Sequence, residues 1–338
     1  MSKTTGLKDR ETQLVERIGK KIPVLEMRGD RGTVHLGIGD DAAILRFTSD
    51  SKWVISCDFS LENVHFRDSS HPPASIGYRC LARAVSDIAA MGARPRYFLL
   101  ALALPSSKTG HWLDLFASGM ARASRELRMR LIGGDISRIP SVSIAITVLG
   151  EISTGVGVRR SGAKPGDLIF VTGTLGAAQL GLEILCRGLG RTPSLKKYLA
   201  PHLFPRIPIA FAQLLARRRI PSAMMDVSDG LSTDLARLCE ASQVGARIWK
   251  NKLPKVQIPH TLAAENFDPL KFALHGGEDY SLLFTAPPRT VRLVQEIAAK
   301  AKIRIAHIGE ITRVRKIFLV DGNGRESPLL SCGWDPFR

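Results

Sequence analysis

Seven aspartates stand beside glycine or near the end of a short apolar run, where a carboxylate has room to face a ligand. They are Asp40, Asp41, Asp58, Asp87, Asp135, Asp226 and Asp229. Carboxylate oxygens are the ligands that Mg²⁺ prefers, and water and phosphate oxygens usually complete its coordination. Because carboxylates that converge on one cleft repel one another unless cations bridge them, the set predicts a magnesium site with several ions.

Each acid also has a structural interpretation. An aspartate that follows a strand often forms a turn or caps a helix, and Asp87 or Asp229 could do only that. We expect all seven in turn-like positions beside strand ends. The functional interpretation depends on the whole set, because so many acids in such positions stand out in a chain whose net charge is +17.

No familiar phosphate-binding loop accompanies the acids. The nearest match to G-x-x-x-x-G-K-[ST] is Gly157–Lys164, which fails because Ala163 stands where the pattern requires lysine. The string "GIGDDA" lacks the third glycine of a dinucleotide fingerprint, and no H-R-D or D-F-G string marks a protein kinase. Phosphoryl transfer in this chain would therefore depend on metal ions and loop amides.

The composition excludes several classes of protein. The chain has 338 residues, of which 44% are hydrophobic. Five widely spaced cysteines, none in a C-x-x-C pair, argue against a disulfide framework or a zinc site. The apolar stretches are well short of the roughly 20 residues that span a membrane, and the polar first ten residues predict no secretory signal. We expect a cytoplasmic protein that does not bind membranes.

The basic excess, 48 Lys and Arg against 31 Asp and Glu, is dispersed along the chain. Its runs at 216–220 and 313–316 are short and lack interleaved aromatic residues, so we do not expect nucleic-acid binding. A basic surface of this kind could instead attract small anionic substrates. A non-enzymatic nucleic-acid-binding protein is the alternative from a different class, and it would leave the acids without a purpose.

Hydrophobic periodicity predicts the elements that position these acids, and it predicts an α/β organisation. Helices are expected over 10–20, 75–91, 111–129, 176–188 and 231–242, and strands over 53–58, 96–105, 141–151 and 168–173. A Gly-rich, basic segment at 153–167 interrupts the apolar pattern. We therefore expect two domains, an N-terminal one over 1–152 and a C-terminal one over 153–338.

Eight strings together resemble one family. In order along the chain they are "GIGDDAAIL", "SCDFSLENVHF", "AVSDIAAMGARP", "LIGGDISR", "RSGAKPGDLIFVTG", "DVSDGLSTDL", "GGEDYSLLFT" and "GWDPF". This order is similar to that of the thiamine-monophosphate kinase family, within the aminoimidazole-ribonucleotide synthetase-like superfamily, over about residues 28–338. The "NVHF" and "GWDPF" strings favour it over the second hypothesis, a selenophosphate or aminoimidazole-ribonucleotide synthetase of the same superfamily.

The resemblance implies a two-domain synthetase-like α/β (α+β) fold. Its N-terminal sheet would pair with that of a second copy in a homodimer, and its C-terminal domain would cover the nucleotide and substrate cleft. It implies an enzyme, a kinase of thiamine biosynthesis that transfers the γ-phosphoryl group of ATP to thiamine monophosphate with several Mg²⁺ ions. Transfer would be direct, so no catalytic side chain is expected.

The resemblance also assigns site residues. The implied metal ligands are Asp41, Ser56, Cys57, Asp58, Asp87, Asp135, Asp226 and Asp229. The implied nucleotide contacts are Gly134, Asp135, Arg160 and Ser228, and the implied substrate contacts are His65, Glu278 and Trp334. Cys57 departs from the family, which usually has Ser or Thr there. A neutral thiol is a poor magnesium ligand. If the family uses the side-chain hydroxyl at this position, Cys57 would weaken the binding of one metal ion; if it uses the backbone carbonyl, the binding would be unchanged.

Four of these residues have structural interpretations that the sequence leaves open. His65 could be a hydrogen-bonded structural histidine, and Trp334 could dock the C-terminal tail on the core. Glu278 follows two glycines and could be a turn acid or a partner for an aminopyrimidine. Arg160 could be a linker cation or could close over phosphates.

Overall fold

The computed structural model describes residues 10–22, 34–36, 43–47, 52–152 and 157–337. The chain forms two compact units. The first comprises Met1–Ala84 and Pro95–Gly150, and the second comprises Val85–Arg94 and Glu151–Arg338. Along the part of the chain that the structure describes, no helix is both long and apolar enough to cross a bilayer.

The N-terminal half contains both strands and helices. They are α1 (Arg10–Lys21), β1 (Val34–Leu36), β2 (Ile44–Leu45), β3 (Lys52–Leu61), α2 (Pro73–Ala90), β4 (Arg94–Leu104), α3 (His111–Leu127), β5 (Arg130–Arg138) and β6 (Ser143–Ile152). In the first unit, four strands form a sheet in the order β3-β6-β4-β5, and β4 and β5 are parallel.

One face of this sheet is packed against helices. The opposite face is covered at one end, where Tyr97 and Leu149 pack with Trp53 and with residues of β1 and β2; the rest of it is the open face. Ile144, Ile146 and Val148 alternate along β6 and are buried, as the sequence predicts. The α3 stripe of Leu113, Phe116, Met120, Ala123 and Leu127 is buried as well. Ile55 and Phe59 of β3 are 65% and 57% exposed. The exposed side chains of β3 therefore lie on a face that the helices of this unit do not cover.

The C-terminal half has a larger sheet. Its elements are β7 (Leu168–Thr172), α4 (Ala177–Cys186), α5 (Lys196–Leu203), α6 (Ile209–Arg217), β8 (Ala223–Val227), α7 (Leu231–Ser242), β9 (Gly245–Trp249), α8 (Pro269–His275), β10 (Ser281–Ala286), α9 (Val291–Ala301), β11 (Ile305–Thr312), β12 (Ile317–Val320) and β13 (Glu326–Pro328). The strand order is β13-β12-β9-β11-β7-β10-β8, with β12 and β9 parallel and the other neighbours antiparallel.

Both faces of the larger sheet are buried. Met225 of β8 and Leu283 of β10 pack in a core that contains Leu235 of α7. Their neighbours Met224 and Phe284 pack in a second core, which contains Phe211 of α6 and Val294 of α9. Because consecutive side chains of a strand point to opposite faces, the sheet lies between α7 on one side and α6 with α9 on the other. This packing fixes the C-terminal end of β8, where three predicted site residues lie.

All nine elements predicted from periodicity are present, with bounds that differ by at most a few residues. The expectation that the acids stand beside strand ends is wrong for three of them. Asp58 lies inside β3, Asp135 inside β5 and Asp87 inside α2. The glycines before Asp135 do not end the strand, because β5 pairs with β4 throughout this stretch. Likewise α2 continues past Asp87, because Ile88 and Ala89 are buried.

Candidate functional site

The end of β8 and the loop after it form the centre of the candidate site in the second unit. Asp226 is only 4% exposed, and its Oδ2 accepts a hydrogen bond of 2.6 Å from Ser86 Oγ. Ser86 precedes Asp87 near the C-terminal end of α2. The structure therefore brings two of the implied metal ligands, Asp87 and Asp226, to neighbouring elements of one unit. The sequence did not single out Ser86, although it stands inside one of the family strings.

The loop continues through Ser228 and Asp229, whose backbone N–H groups both donate to Asp234 Oδ2 over 3.0 Å. Asp234, in the first turn of α7, is fully buried. Burial raises the pKa of Asp234 to about 6, although the N–H of Asp229 lowers it. Arg237 donates to the carboxylates of both Asp229 and Asp234. Asp229 is thus already paired with a cationic side chain, so a metal ion there would compete with Arg237.

The segment Gly276–Tyr280 lies directly against this loop. The N–H of Glu278 donates to Ser228 O over 2.8 Å, and the N–H of Tyr280 donates to Val227 O over 2.9 Å. Glu278 and Tyr280 have φ values of 66° and 47°, a left-handed conformation that costs a non-glycine residue about 1–3 kcal/mol. This unfavourable backbone is held by the two hydrogen bonds, and it places Glu278 beside Ser228.

Asp279, between those two residues, binds the N-terminus of α4. Its Oδ2 accepts from the N–H of Gly176 over 2.5 Å, and its Oδ1 accepts from the N–H of Ala178 over 2.9 Å. Burial raises the pKa of Asp279 to about 7, against the opposing effect of these amide donors. Sequence reasoning missed Asp279, although it stands in the quoted string "GGEDY" and a carboxylate at a helix N-terminus is a common stabilising arrangement.

The C-terminal tail reaches the same loop. The N–H of Trp334 donates to Asp229 O over 2.9 Å, and the N–H of Gly333 donates to Thr233 Oγ1 over 3.0 Å. A Cβ atom at position 333 would lie 2.0 Å from Asp229 O, so only glycine fits this approach. Trp334 is 45% exposed. Its backbone is fixed while much of its indole ring is accessible to a ligand.

Arg160 lies near the C-terminal end of α7 and the start of β8, away from the loop that joins these two elements. Its carbonyl accepts from Ser242 Oγ at the last residue of α7, and Arg159 O accepts from the N–H of Met224 near the start of β8. Since a 12-residue helix is about 18 Å long, the backbone of Arg160 is far from Ser228 at the opposite end of α7. The structure does not bring these two implied nucleotide contacts together.

In the first unit, β3 carries three implied metal ligands on two faces. Cys57 Sγ lies 3.5 Å from Thr147 Oγ1, and both side chains are on the open face of the sheet. Asp58 lies on the helix-covered face, where its Oδ1 is 3.8 Å from Nε of Arg83 in α2. By strand alternation Ser56 lies on the same face as Asp58. The thiol of Cys57 and the carboxylate of Asp58 therefore point away from each other.

Gly134 and Asp135 lie on β5, at the opposite edge of that sheet. A Cβ atom at position 134 would lie 1.9 Å from Leu100 O, so glycine is required for the pairing with β4. Asp135 is paired with Ala101, and both are exposed on the open face. Three strand spacings separate β3 from β5, about 14 Å. Within this unit, Asp58 and Asp135 lie on opposite edges and opposite faces.

His65 is held in the turn after β3. Its Nδ1 accepts from the N–H of Leu61 over 3.0 Å, so in the neutral ring the proton is on Nε2. Arg79 donates to the carbonyl of His65 over 3.0 Å. Asp40 and Asp41 lie outside the described residues. Among the residues that the structure does describe, no three His, Cys, Asp or Glu side chains form a group that could hold a metal ion by themselves.

Comparison with known proteins identifies the class and then the family. Residues 39–152 match the model of the AIR synthase related protein N-terminal domain, and residues 164–322 match that of the C-terminal domain. The chain is therefore a two-domain AIR synthase-related protein, as its fold class predicts.

Individual proteins similar to this chain identify the family within that class. A thiamine-monophosphate kinase of Synechococcus elongatus is 38% identical over 306 residues, 88% of this chain and 91% of that protein. The crystal structure of thiamine-monophosphate kinase from Stenotrophomonas maltophilia superposes with a TM-score of 0.79 at 32% identity, over 93% of this chain and 96% of the other. A structure described as AaThiL complexed with AMPPCP and TMP has a TM-score of 0.75 at 29% identity, over 99% and 100%. The chain belongs to the thiamine-monophosphate kinase family, which confirms the resemblance in its sequence.

Proposed function

We propose that this protein phosphorylates thiamine monophosphate with ATP, giving thiamine diphosphate and ADP, the final step of thiamine diphosphate biosynthesis. The relatives that cover most of the chain carry this activity in their names, and one structural neighbour holds an ATP analogue together with TMP. One observation carries the proposal. The loop with the implied nucleotide contact Ser228 is hydrogen-bonded to both Glu278 and Trp334, which are implied substrate contacts.

The chemistry requires positive charge rather than a strong base. A phosphate monoester carries about −1.5 to −2 charges at pH 7, so its reaction with a nucleoside triphosphate brings two polyanions together. The acceptor oxygen is already ionised, and direct transfer needs mainly alignment and neutralisation of the spreading charge. The two hydrogen bonds described above supply alignment, because they fix the substrate-binding segments against the nucleotide-binding loop.

The residues of the second unit fit Mg²⁺. This ion usually takes one or two protein carboxylates and fills its other positions with water and phosphate oxygens. Asp226 and Asp87 offer such carboxylates on neighbouring elements, so they suit ions that arrive with the nucleotide. When bound, Mg²⁺ would supply positive charge between the two phosphate groups.

The full assignment follows the family. We assign metal binding to Asp41, Ser56, Cys57, Asp58, Asp87, Asp135, Asp226 and Asp229, nucleotide binding to Gly134, Asp135, Arg160 and Ser228, and substrate binding to His65, Glu278 and Trp334. The domains of the working enzyme are assigned to 1–152 and 153–338, and its location to the cytoplasm. The contacts of Asp226, Ser228, Glu278 and Trp334 within one unit support this assignment most strongly.

A homodimer is the second part of the proposal. The open face of the four-stranded sheet exposes Ile55 and Phe59, and neighbouring exposed apolar side chains often mark an interface. Light scattering should give twice the chain mass, and Phe59→Asp should give a monomer. A wild-type monomer at micromolar concentration would contradict the homodimer.

A coupled assay of ADP release tests the activity. Thiamine monophosphate should support turnover, whereas thiamine, formylglycinamidine ribonucleotide and selenide should not. Chelation of divalent ions should abolish turnover, and added Mg²⁺ should restore it. Activity with one of the other three acceptors alone would overturn the proposed function.

A further inference from the structure

A buried histidine that the sequence did not single out lies against Glu278. His202, in the last turn of α5, is 1% exposed, and its Nδ1 lies 3.2 Å from Oε2 of Glu278. Glu278 is about one-fifth exposed. The pair therefore joins an interior ring to a carboxylate at the protein surface, in the segment that is hydrogen-bonded to the Ser228 loop.

The position of His202 depends on close packing of α4 against α5. A Cβ atom at Gly181 of α4 would lie 2.9 Å from the Cβ of His202 and 2.7 Å from Tyr198 O, so glycine permits the approach. The same α4 helix receives the carboxylate of Asp279 at its N-terminus. The α4–α5 pair thus contacts two consecutive side chains, Glu278 through His202 and Asp279 through the helix amides.

This contact restricts a flexible side chain. A glutamate has three rotatable bonds, and holding one in a single orientation costs conformational entropy when a ligand has to do it. A ring nitrogen this close to a carboxylate oxygen attracts it when the nitrogen carries a proton, and a carboxylate with one oxygen engaged keeps acceptor sites on the other. His202 can therefore fix the orientation of Glu278 without occupying its whole carboxylate.

We propose that His202 is a positioning residue, which holds the Glu278 carboxylate in the orientation that accepts a hydrogen bond from an amine-bearing heterocycle of the substrate. This role rests on the proposed function, because it takes thiamine monophosphate as the substrate. His202 itself does not touch the reacting phosphates. Its loss should therefore weaken substrate binding and leave the binding of ATP nearly unchanged.

Two substitutions at position 202 separate the positioning role of the ring from its packing. His202→Asn keeps a polar amide close to the position of Nδ1, whereas His202→Leu keeps the volume and removes both ring nitrogens. We expect the KM for thiamine monophosphate to rise about tenfold in the leucine variant and less than about threefold in the asparagine variant. The KM for ATP should stay within about twofold in both. His307→Gln, a partly buried histidine on β11, is the matched control.

A double-mutant cycle tests whether His202 acts through Glu278. Once Glu278→Gln is present, His202→Leu should produce no further rise in the KM for thiamine monophosphate. If the leucine variant does not fold, as judged by its unfolding midpoint, His202→Gln replaces it, since its amide lies near Nε2 instead. Additive effects in the cycle, or equal KM values for the asparagine and leucine variants, would overturn the proposal. A wild-type chain that is inactive on thiamine monophosphate would instead overturn the proposed function.

Discussion

The backbone N–H of Trp334 donates to the carbonyl oxygen of Asp229 over 2.9 Å, which joins the C-terminal tail to the loop after β8. The same loop accepts a hydrogen bond from Glu278 through Ser228 O. Two residues distant in sequence are therefore held by consecutive peptide groups of one loop. This arrangement explains how implied substrate contacts and an implied nucleotide contact meet in a single unit.

Replacement of the Trp334 ring should affect the substrate and not the nucleotide. An indole can stack on the cationic thiazolium ring of thiamine, so Trp334→Ala should raise the KM for thiamine monophosphate about tenfold. Trp334→Phe keeps an aromatic ring and should raise this KM less. Steady-state kinetics with each substrate varied in turn measure this. Phe337→Ala, at a side chain that is 96% exposed, is the control. A parallel rise in the KM for ATP would contradict a substrate-specific role.

The addition of one methyl group at position 333 should displace the C-terminal tail. Gly333→Ala places a Cβ atom 2.0 Å from Asp229 O and 2.7 Å from Thr233 Oγ1, so the segment has to move. We expect kcat/KM for thiamine monophosphate to fall about tenfold, with a loss of roughly 1–3 kcal/mol in the free energy of unfolding. Gly322→Ala, where nothing lies within 4 Å of the added atom, is the matched control. Unchanged kinetics would show that the tail does not need this contact.

Asp58→Asn and Asp135→Asn should each lower turnover by about 10²–10³-fold and leave the unfolding midpoint nearly unchanged. Both carboxylates are accessible on edge strands, and the Arg83–Asp58 contact is a weak, partly exposed ion pair. Ser137→Ala, an exposed neighbour on β5, should keep full activity. A large loss of stability with residual turnover would mean that these acids are structural.

Asp279 should make the protein less stable as the pH rises from about 4 to about 7. Its pKa is near 7 in the folded chain and 3.8 ordinarily, so the folded chain binds more protons than the unfolded chain in this interval. Its contribution is full below about pH 4 and lost above about pH 7. We would measure the free energy of unfolding in urea at pH 5 and at pH 8. Between these pH values it should fall by about 1–3 kcal/mol more in the wild type than in Asp279→Asn. Glu240→Gln, an exposed acid on α7, should keep the wild-type difference.

The sequence predicted elements better than it predicted the surroundings of the acids. The α3 stripe and the alternation along β6 are local patterns, and the structure confirms both. Strand β5 was missed because its glycines suggested a turn, whereas pairing with β4 keeps it extended. The contact of His202 with Glu278 had no local signal, because it depends on how α4 and α5 pack. The same holds for Arg237 and Asp229, which are brought together only when α7 forms.

Transfer of labelled phosphate tests the central claim most directly. ATP labelled at its γ-phosphate is incubated with thiamine monophosphate, and the products are separated. We expect labelled thiamine diphosphate in a one-to-one ratio with ADP, in amounts that depend on thiamine monophosphate and Mg²⁺. Release of labelled inorganic phosphate alone, or label transferred to a different acceptor but never to thiamine monophosphate, would contradict the account.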